Sequence, residues 1–255
     1  MINQHNSHNK IPEITFLFWI TKICATTLGE TAGDLLSMTL KVGYGISSVI
    51  LVSLFLISLI TQLSLKKFNP ALYWTVILTT STAGTTMSDY MDRTLGLGYA
   101  MGSLVLVSIL ITVIIIWRIT EKSLSVTNIQ SLRAEIFYWT TILFSNTLGT
   151  ALGDFLADDS GLGFAGGAIL IGVLIILIVM AKYLTKISPV LLFWIAFVLT
   201  RPFGATFGDL LTKPTAKGGL DLGTMGSSLV LFILLAGLIA FSTLQAQKKT
   251  TKKIE

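Results

Sequence analysis

The sequence predicts an all-α, polytopic membrane protein: eight transmembrane helices arranged as four pseudo-equivalent helical hairpins, in a single domain spanning residues 1–255. Three observations predict it. The chain is 53% hydrophobic and only 12% charged, where a soluble domain carries about 25% charged residues. Its apolar residues gather in segments close to the ~20 residues that a helix needs to cross the hydrocarbon. One pattern recurs four times inside those segments, a Trp followed ten residues later by Gly and fifteen residues later by Asp: Trp19/Gly29/Asp34, Trp74/Gly84/Asp89, Trp139/Gly149/Asp154 and Trp194/Gly204/Asp209.

The spans fall at about 14–36, 45–64, 71–91, 98–117, 136–157, 163–181, 189–211 and 224–245. The first follows a polar leader, Met1–Lys10, which has no signal-peptide pattern and so leaves this segment in place as a span. Each even-numbered span opens on a glycine: Gly43-Tyr44, Gly98-Tyr99, Gly163-Phe164 and Gly223-Thr224. The first three glycines sit 24 residues after the Trp, and the fourth sits at 29, displaced by an insertion around Lys213–Lys217. The repeats are therefore about 14–64, 71–117, 136–184 and 189–245, with a basic cytoplasmic tail at 246–255. Trp spacings of 55, 65 and 55 residues place the longest linker, Arg118–Glu135, at the centre and suggest two rounds of duplication. Two helices return the chain to its starting side, so all four repeats point the same way around an axis along the membrane normal.

Charge sets the orientation. Lys10, Lys66, Lys67, Arg118, Lys122, Arg133, Lys182, Lys186 and tail lysines 248, 249, 252 and 253 fall on one side; Lys41, Arg93, Lys213 and Lys217 fall on the other. Twelve cations against four place both termini in the cytoplasm. The net charge of +5 thus reflects loops and tails rather than a nucleic-acid partner. The one cysteine, Cys24, and the two histidines, His5 and His8, offer no intrachain disulfide, no cysteine metal site and no buried haem site, so no cofactor is expected. With no Ser-His or Cys-His set and no soluble catalytic domain, the chain is not expected to be an enzyme. The expected partners are the lipid bilayer and a cation substrate, with association between copies left open.

The odd-numbered spans carry the chemistry. Positions ten and fourteen after the Trp read Gly29/Gly33, Gly84/Ser88, Gly149/Gly153 and Gly204/Gly208, a small-residue face along which helix backbones approach closely. Positions eight, eleven and fifteen share a helical face. They read Thr27/Glu30/Asp34, Thr82/Thr85/Asp89, Thr147/Thr150/Asp154 and Pro202/Ala205/Asp209. The even spans are almost wholly apolar, so the odd ones should line the interior. An anion at a helix C-terminus is electrostatically unfavourable. Four of them need partners, and the candidates are Arg93, Lys41, Lys213, a bound cation or free backbone N–H groups. Glu30 is peculiar to the first repeat, and its candidate partners are Lys22 and Arg201, which also have no counterparts in the other repeats. Those two cations are candidates for gating or coupling; Thr27, Thr82, Thr85, Asn146, Thr147 and Thr150 are candidates for a polar pathway. Pro202 should kink its helix, and the turn acids Asp92, Asp158, Asp159 and Asp221 read as solvated.

At these residues the chain resembles a prokaryotic family of multi-pass membrane proteins built of four tandem two-helix repeats of unknown function. The resemblance rests on the aromatic-Trp start, the Gly-x-x-x-Gly-Asp stretch and the Gly-aromatic opening of the next helix, from Phe16 to about Thr243. It implies the plasma (inner) membrane of a prokaryote. Glu30-Thr31-Ala32-Gly33-Asp34 is also similar to the Glu-x-Gly-Asp signature of small divalent-cation exporters, with one extra residue between Glu and Gly, Leu35 where a basic residue would follow, and the Glu in one repeat only.

Together these observations predict a secondary transporter that exports a cation, divalent if the exporter resemblance holds, with Glu30, Asp34, Asp89, Asp154 and Asp209 as metal ligands. This requires the acids to meet in a shared, water-accessible cavity. The alternatives are a cation channel with an outer ring of Asp, and a membrane scaffold whose aspartates only lock the hairpins.

Overall fold

The structure is a computed structural model and describes residues 11–65, 68–126, 129 and 131–251, with side chains as far as Gln245. The leader with His5, His8 and Lys10, the pair Lys66 and Lys67, and the side chains of the tail lysines lie outside the described residues.

Among the described residues eight α-helices run in order: α1 (Phe16–Asp34), α2 (Tyr44–Ser64), α3 (Pro70–Asp89), α4 (Tyr99–Glu121), α5 (Leu132–Asp154), α6 (Gly163–Leu184), α7 (Pro189–Thr212) and α8 (Thr224–Thr251). Short polar residues start the odd helices. Thr15, Asn69 and Ser131 accept hydrogen bonds from Phe18, Leu72 and Ala134 N–H groups, which satisfies donors that the first turn leaves free. Pro70 and Pro189 occupy the first helical position of α3 and α7, where a missing N–H costs nothing.

The four odd helices close into a ring, α1 on α3, α3 on α5, α5 on α7 and α7 on α1. The even helices lie outside it. Each leans on the odd helix of the following repeat: α2 on α3, α4 on α5, α6 on α7 and α8 on α1. A hairpin in the chain is thus not a packing unit in space; each repeat is completed by the next.

The small-residue face explains the ring. A Cβ on Gly29 would lie 2.2 Å from Ser81 Oγ, one on Gly84 2.9 Å from Thr147 N, one on Gly149 2.2 Å from Arg201 Cγ and one on Gly204 2.6 Å from Thr26 Oγ1. In each case position ten of one repeat meets the next around position seven or eight, and the last repeat meets the first. Close backbone approach is what glycine supplies at such crossings.

The end of each odd helix is also repeated. In three repeats the Asp is followed by a π-helical turn, at Leu35–Thr39, Tyr90–Thr94 and Phe155–Asp159. The chain then reverses through the recurring glycine, with φ of 82° at Gly43, 71° at Gly98, 67° at Gly163 and 73° at Gly223. Only glycine occupies that left-handed region without strain, which accounts for a motif that the sequence shows without explaining. In the fourth repeat α7 continues to Thr212, and the insertion forms a 3-10 turn at Thr215–Lys217. Pro202 lies inside α7 without ending it.

Among the described residues five helices, α2, α4, α6, α7 and α8, are long and apolar enough to cross a membrane, which points to a membrane protein. Hydropathy alone does not select α1, α3 and α5. Their threonines and acids lower it, and these residues are tolerated because they face the ring interior rather than the outer surface. The outer helices show the converse: Ile46, Val49, Ile57, Leu104, Ile169 and Leu229 all stand exposed on the outside.

Candidate functional site

The axis of the odd-helix ring is built in layers that follow distance from the repeated Trp. At the Trp end the residue before each Trp packs on the Trp of the next repeat. Ring centroids lie 5.5 Å apart for Phe18 and Trp74, 5.5 Å for Tyr73 and Trp139, 6.1 Å for Tyr138 and Trp194, and 5.7 Å for Phe193 and Trp19. Tyr73 and Tyr138 share a hydroxyl–hydroxyl hydrogen bond of 2.7 Å in the middle of this girdle. The girdle closes one end of the ring with packed aromatic rings.

One turn further in lie Lys22, Ile77, Ile142 and Phe197, all fully buried. The Lys22 ammonium sits 4.2 Å from the centroid of the Phe197 ring, a cation–π contact. The next layer is Thr26, Ser81, Asn146 and Arg201, also fully buried. Asn146 Nδ2 donates to Thr80 Oγ1 at 2.8 Å.

The following layer holds Glu30, Thr85, Thr150 and Ala205. Arg201 reaches into it from one turn below, past the short Ala205. Its Nη2 donates to Glu30 Oε2 at 2.8 Å and lies 2.6 Å from both Thr85 Oγ1 and Thr150 Oγ1. The two threonine hydroxyls lie 3.3 and 3.4 Å from the same Glu30 oxygen. One guanidinium and one carboxylate thereby tie all four odd helices at a single point. Glu30 fits because Gly208 faces it: a Cβ there would lie 3.0 Å from Glu30 Cβ.

The four aspartates form the layer beyond, each 2% exposed. They are joined in pairs by cations nineteen residues after the Trp, which occur only in the second and fourth repeats. Lys213 Nζ lies 2.5 Å from Asp34 and 3.1 Å from Asp209. Arg93 lies 3.1 Å from both Asp89 and Asp154. Each cation therefore bridges its own repeat to the next around the ring, at the seams between the fourth and first repeats and between the second and third.

The two bridges differ in how firmly they are held. Arg93 Nη1 also donates to Tyr44 Oη at 3.0 Å, and the guanidinium lies near the Tyr99 ring. These tyrosines are the aromatic residues of the repeated Gly-aromatic motif. At the other seam the motif residue of the fourth repeat is Thr224, and the third repeat carries Phe164 at that position. There Thr224 pairs with Thr39, and beyond its two carboxylates Lys213 has a 3.9 Å contact with Met38 Sδ.

The five acids expected as metal ligands, Glu30, Asp34, Asp89, Asp154 and Asp209, fall into two sets in this geometry. Asp34 and Asp209 group with Glu30, their nearest carboxylate oxygens all within 4.8 Å of one another, whereas Asp89 and Asp154 are not part of that group. The expected open, water-accessible acid cavity is corrected. The acids do converge on the axis, but each lies against a cation and almost none of its surface reaches solvent. Of the candidate partners, Arg93 and Lys213 hold the aspartates and Arg201 holds Glu30, whereas Lys41 is exposed at the turn. Lys22 does not pair with Glu30 but lies on Phe197.

Among the polar-pathway residues, Thr85 and Thr150 join the central hub. Thr27, Thr82 and Thr147 instead donate back to carbonyls of their own helices, so the polar stripe runs through positions seven, eleven and fifteen. Asp92 is not solvated as expected. It is buried, accepts a hydrogen bond from Ser88 Oγ at 3.1 Å and fills the space left by Gly102. Sequence reasoning missed Tyr44, Tyr99 and Met38 at the aspartate layer; the recurrence of a cation nineteen residues after two of the four Trp was the available signal.

A closed ring of repeated inner helices sheathed by apolar outer ones defines a repeat protein of the membrane class. The family model described as Repeat of Unknown Function (DUF347) matches the chain four times, at residues 17–68, 72–123, 137–188 and 192–248, each copy starting two residues before a repeated Trp. The chain belongs to this repeat family. No curated protein and no solved structure matches it.

Proposed function

We propose that this chain is a prokaryotic inner-membrane carrier for a small inorganic cation, divalent in our reading, and that all eight helices cross the bilayer with both termini cytoplasmic. The observation that carries the reading is the group of three buried carboxylates, Glu30, Asp34 and Asp209, with oxygens within 4.8 Å of one another. Such a set of oxygen donors suits a hard divalent ion. The Lys213 ammonium, 2.5 Å from Asp34, acts as a tethered competitor: a free cation takes the carboxylates when Lys213 swings toward the surface. Glu30, joined to all four odd helices through Arg201, Thr85 and Thr150, passes occupancy on to the rest of the ring. The closely packed aromatic girdle favours a carrier over a channel, since a pore needs a continuous aqueous path. With the termini in the cytoplasm the aspartate layer faces outward, which fits release to the outside and hence export.

A scaffold is the second reading, favoured by the cationic partner that each aspartate already has. Thermal unfolding of the purified protein against divalent cations separates the two, because a ligand bound only by the native form raises its apparent stability. The carrier predicts a saturable rise that is lost in Asp34→Asn and Asp209→Asn and kept in Asp89→Asn. A scaffold predicts no metal effect and a similar loss of stability in all three variants. Uptake into proteoliposomes then tests transport itself.

A further inference from the structure

Two buried cations, on neighbouring helices and one layer apart, are not fully used by the hub or the aspartates. Lys22 on α1 and Arg201 on α7 are both fully buried. Lys22 Nζ, Arg201 Nε and Arg201 Nη1 have no hydrogen-bond partner. The Lys22 ammonium lies on Phe197, one turn before Arg201 on the same helix. Ser81 Oγ, in the same layer as Arg201, is likewise buried and without a partner.

The chemistry of this set is one-sided. The Lys22 ammonium and the N–H groups on Arg201 Nε and Nη1 can only donate, the Ser81 hydroxyl can do either, and among the unpartnered side-chain atoms of that layer only Asn146 Oδ1 is a pure acceptor. The charge is one-sided as well. Glu30 sits against Arg201, and no acid is paired with Lys22 among the described residues. Leaving a buried donor unsatisfied costs free energy, and leaving a buried charge unpaired costs more. We propose that Lys22 and Arg201 together bind a small monovalent inorganic anion, of the halide class, between the aromatic girdle and the Glu30 hub. One such anion supplies the missing acceptor and balances two cations against one carboxylate. A water molecule accepts hydrogen bonds but leaves the charge in place. The anion is smaller than any organic substrate, which suits a layer whose other side chains, Phe197, Ile77 and Ile142, are all fully buried.

The test uses the full chain purified in detergent. Thermal unfolding is followed in sodium gluconate, sodium chloride and sodium bromide at equal ionic strength, so that the cation is constant and the carrier reading is not probed. Chloride and bromide are expected to raise the unfolding temperature over gluconate in a saturable way, by a few degrees for each roughly tenfold increase above the dissociation constant. Lys22→Met is expected to remove the halide dependence. Equal unfolding temperatures of the native protein in the three salts, as a water-filled site would give, overturn the proposal; so does an undiminished halide response in Lys22→Met. If that variant does not fold, chloride NMR of the native protein decides: broadening of the chloride line that bromide reverses supports the site, and an unbroadened line overturns it.

Discussion

Glu30 and Arg201 meet at 2.8 Å, neither with more than 3% of its side chain exposed, although 171 residues separate them in the chain. Removing one partner from a buried pair leaves an uncompensated charge and costs about 3–5 kcal/mol, whereas replacing both by apolar residues is far milder. Glu30→Met and Arg201→Met are therefore each expected to destabilise the protein strongly, and the double variant to be more stable than either. Denaturation of the four proteins in detergent measures this as a double-mutant cycle. Additive losses would show that the two side chains act independently.

The glycines of the ring should be far less tolerant than those outside it. Gly149→Ala places a methyl 2.2 Å from Arg201 Cγ, whereas nothing lies within 4 Å of a methyl at Gly226 on α8. Gly149→Ala should lower the unfolding temperature markedly. Gly226→Ala should leave it unchanged or raise it, since Ala is favoured over Gly within a helix by about 0.5–1 kcal/mol.

In the girdle, the Tyr73–Tyr138 hydroxyl pair lies where neither group can turn to water. Tyr73→Phe leaves a buried hydroxyl alone and should cost about 1–3 kcal/mol. Tyr73→Phe with Tyr138→Phe should recover part of that loss, because no orphan hydroxyl remains. Thermal melts of both variants are sufficient to check it.

Lys213 gives the most direct view of the aspartate layer. Lys213→Met leaves Asp34 and Asp209 facing each other without their shared cation. Stability should fall in metal-free buffer and recover on adding a divalent cation, more than in the native protein. A deficit that no divalent ion repairs would mean that the carboxylates do not form a cation cradle.

The turn glycines offer a local test. Gly98 holds φ at 71° and ψ at 158°, a backbone conformation that glycine almost alone adopts, and an added Cβ would meet nothing within 4 Å, so Gly98→Ala and Gly98→Asn should each cost about 1–3 kcal/mol. Thermal melts check it: a much smaller loss in Gly98→Asn than in Gly98→Ala would show that the turn relaxes to the left-handed helical conformation instead.

Much of the architecture could be read from the chain because the same offsets recur. The predicted second span at about 45–64 is α2 at Tyr44–Ser64, and the predicted seventh at about 189–211 is α7 at Pro189–Thr212. Glu30 and the aspartates could be picked out because acids are rare in apolar segments. Their pairing could not. Which neighbour Arg93 or Lys213 reaches depends on the direction in which the ring closes, and a linear pattern carries no such information. The rotation of the stripe escaped for a similar reason. Thr27 at position eight and Thr26 at position seven are equally polar in the sequence, and both hydroxyls lie near carbonyls of their own helix, but Thr26 Oγ1 also reaches Thr200 O on α7.

Closure of the last repeat on the first has a consequence for biosynthesis. The ribosome releases Glu30 well before it has made Arg201; at usual elongation rates a gap of 171 residues lasts about 10–30 s. During that interval the earliest carboxylate has no guanidinium, and Asp34 waits longer still for Lys213. The nascent protein must survive with its first acids unpaired, and arrest of translation anywhere before α7 yields an open arc that quality-control proteases can recognise.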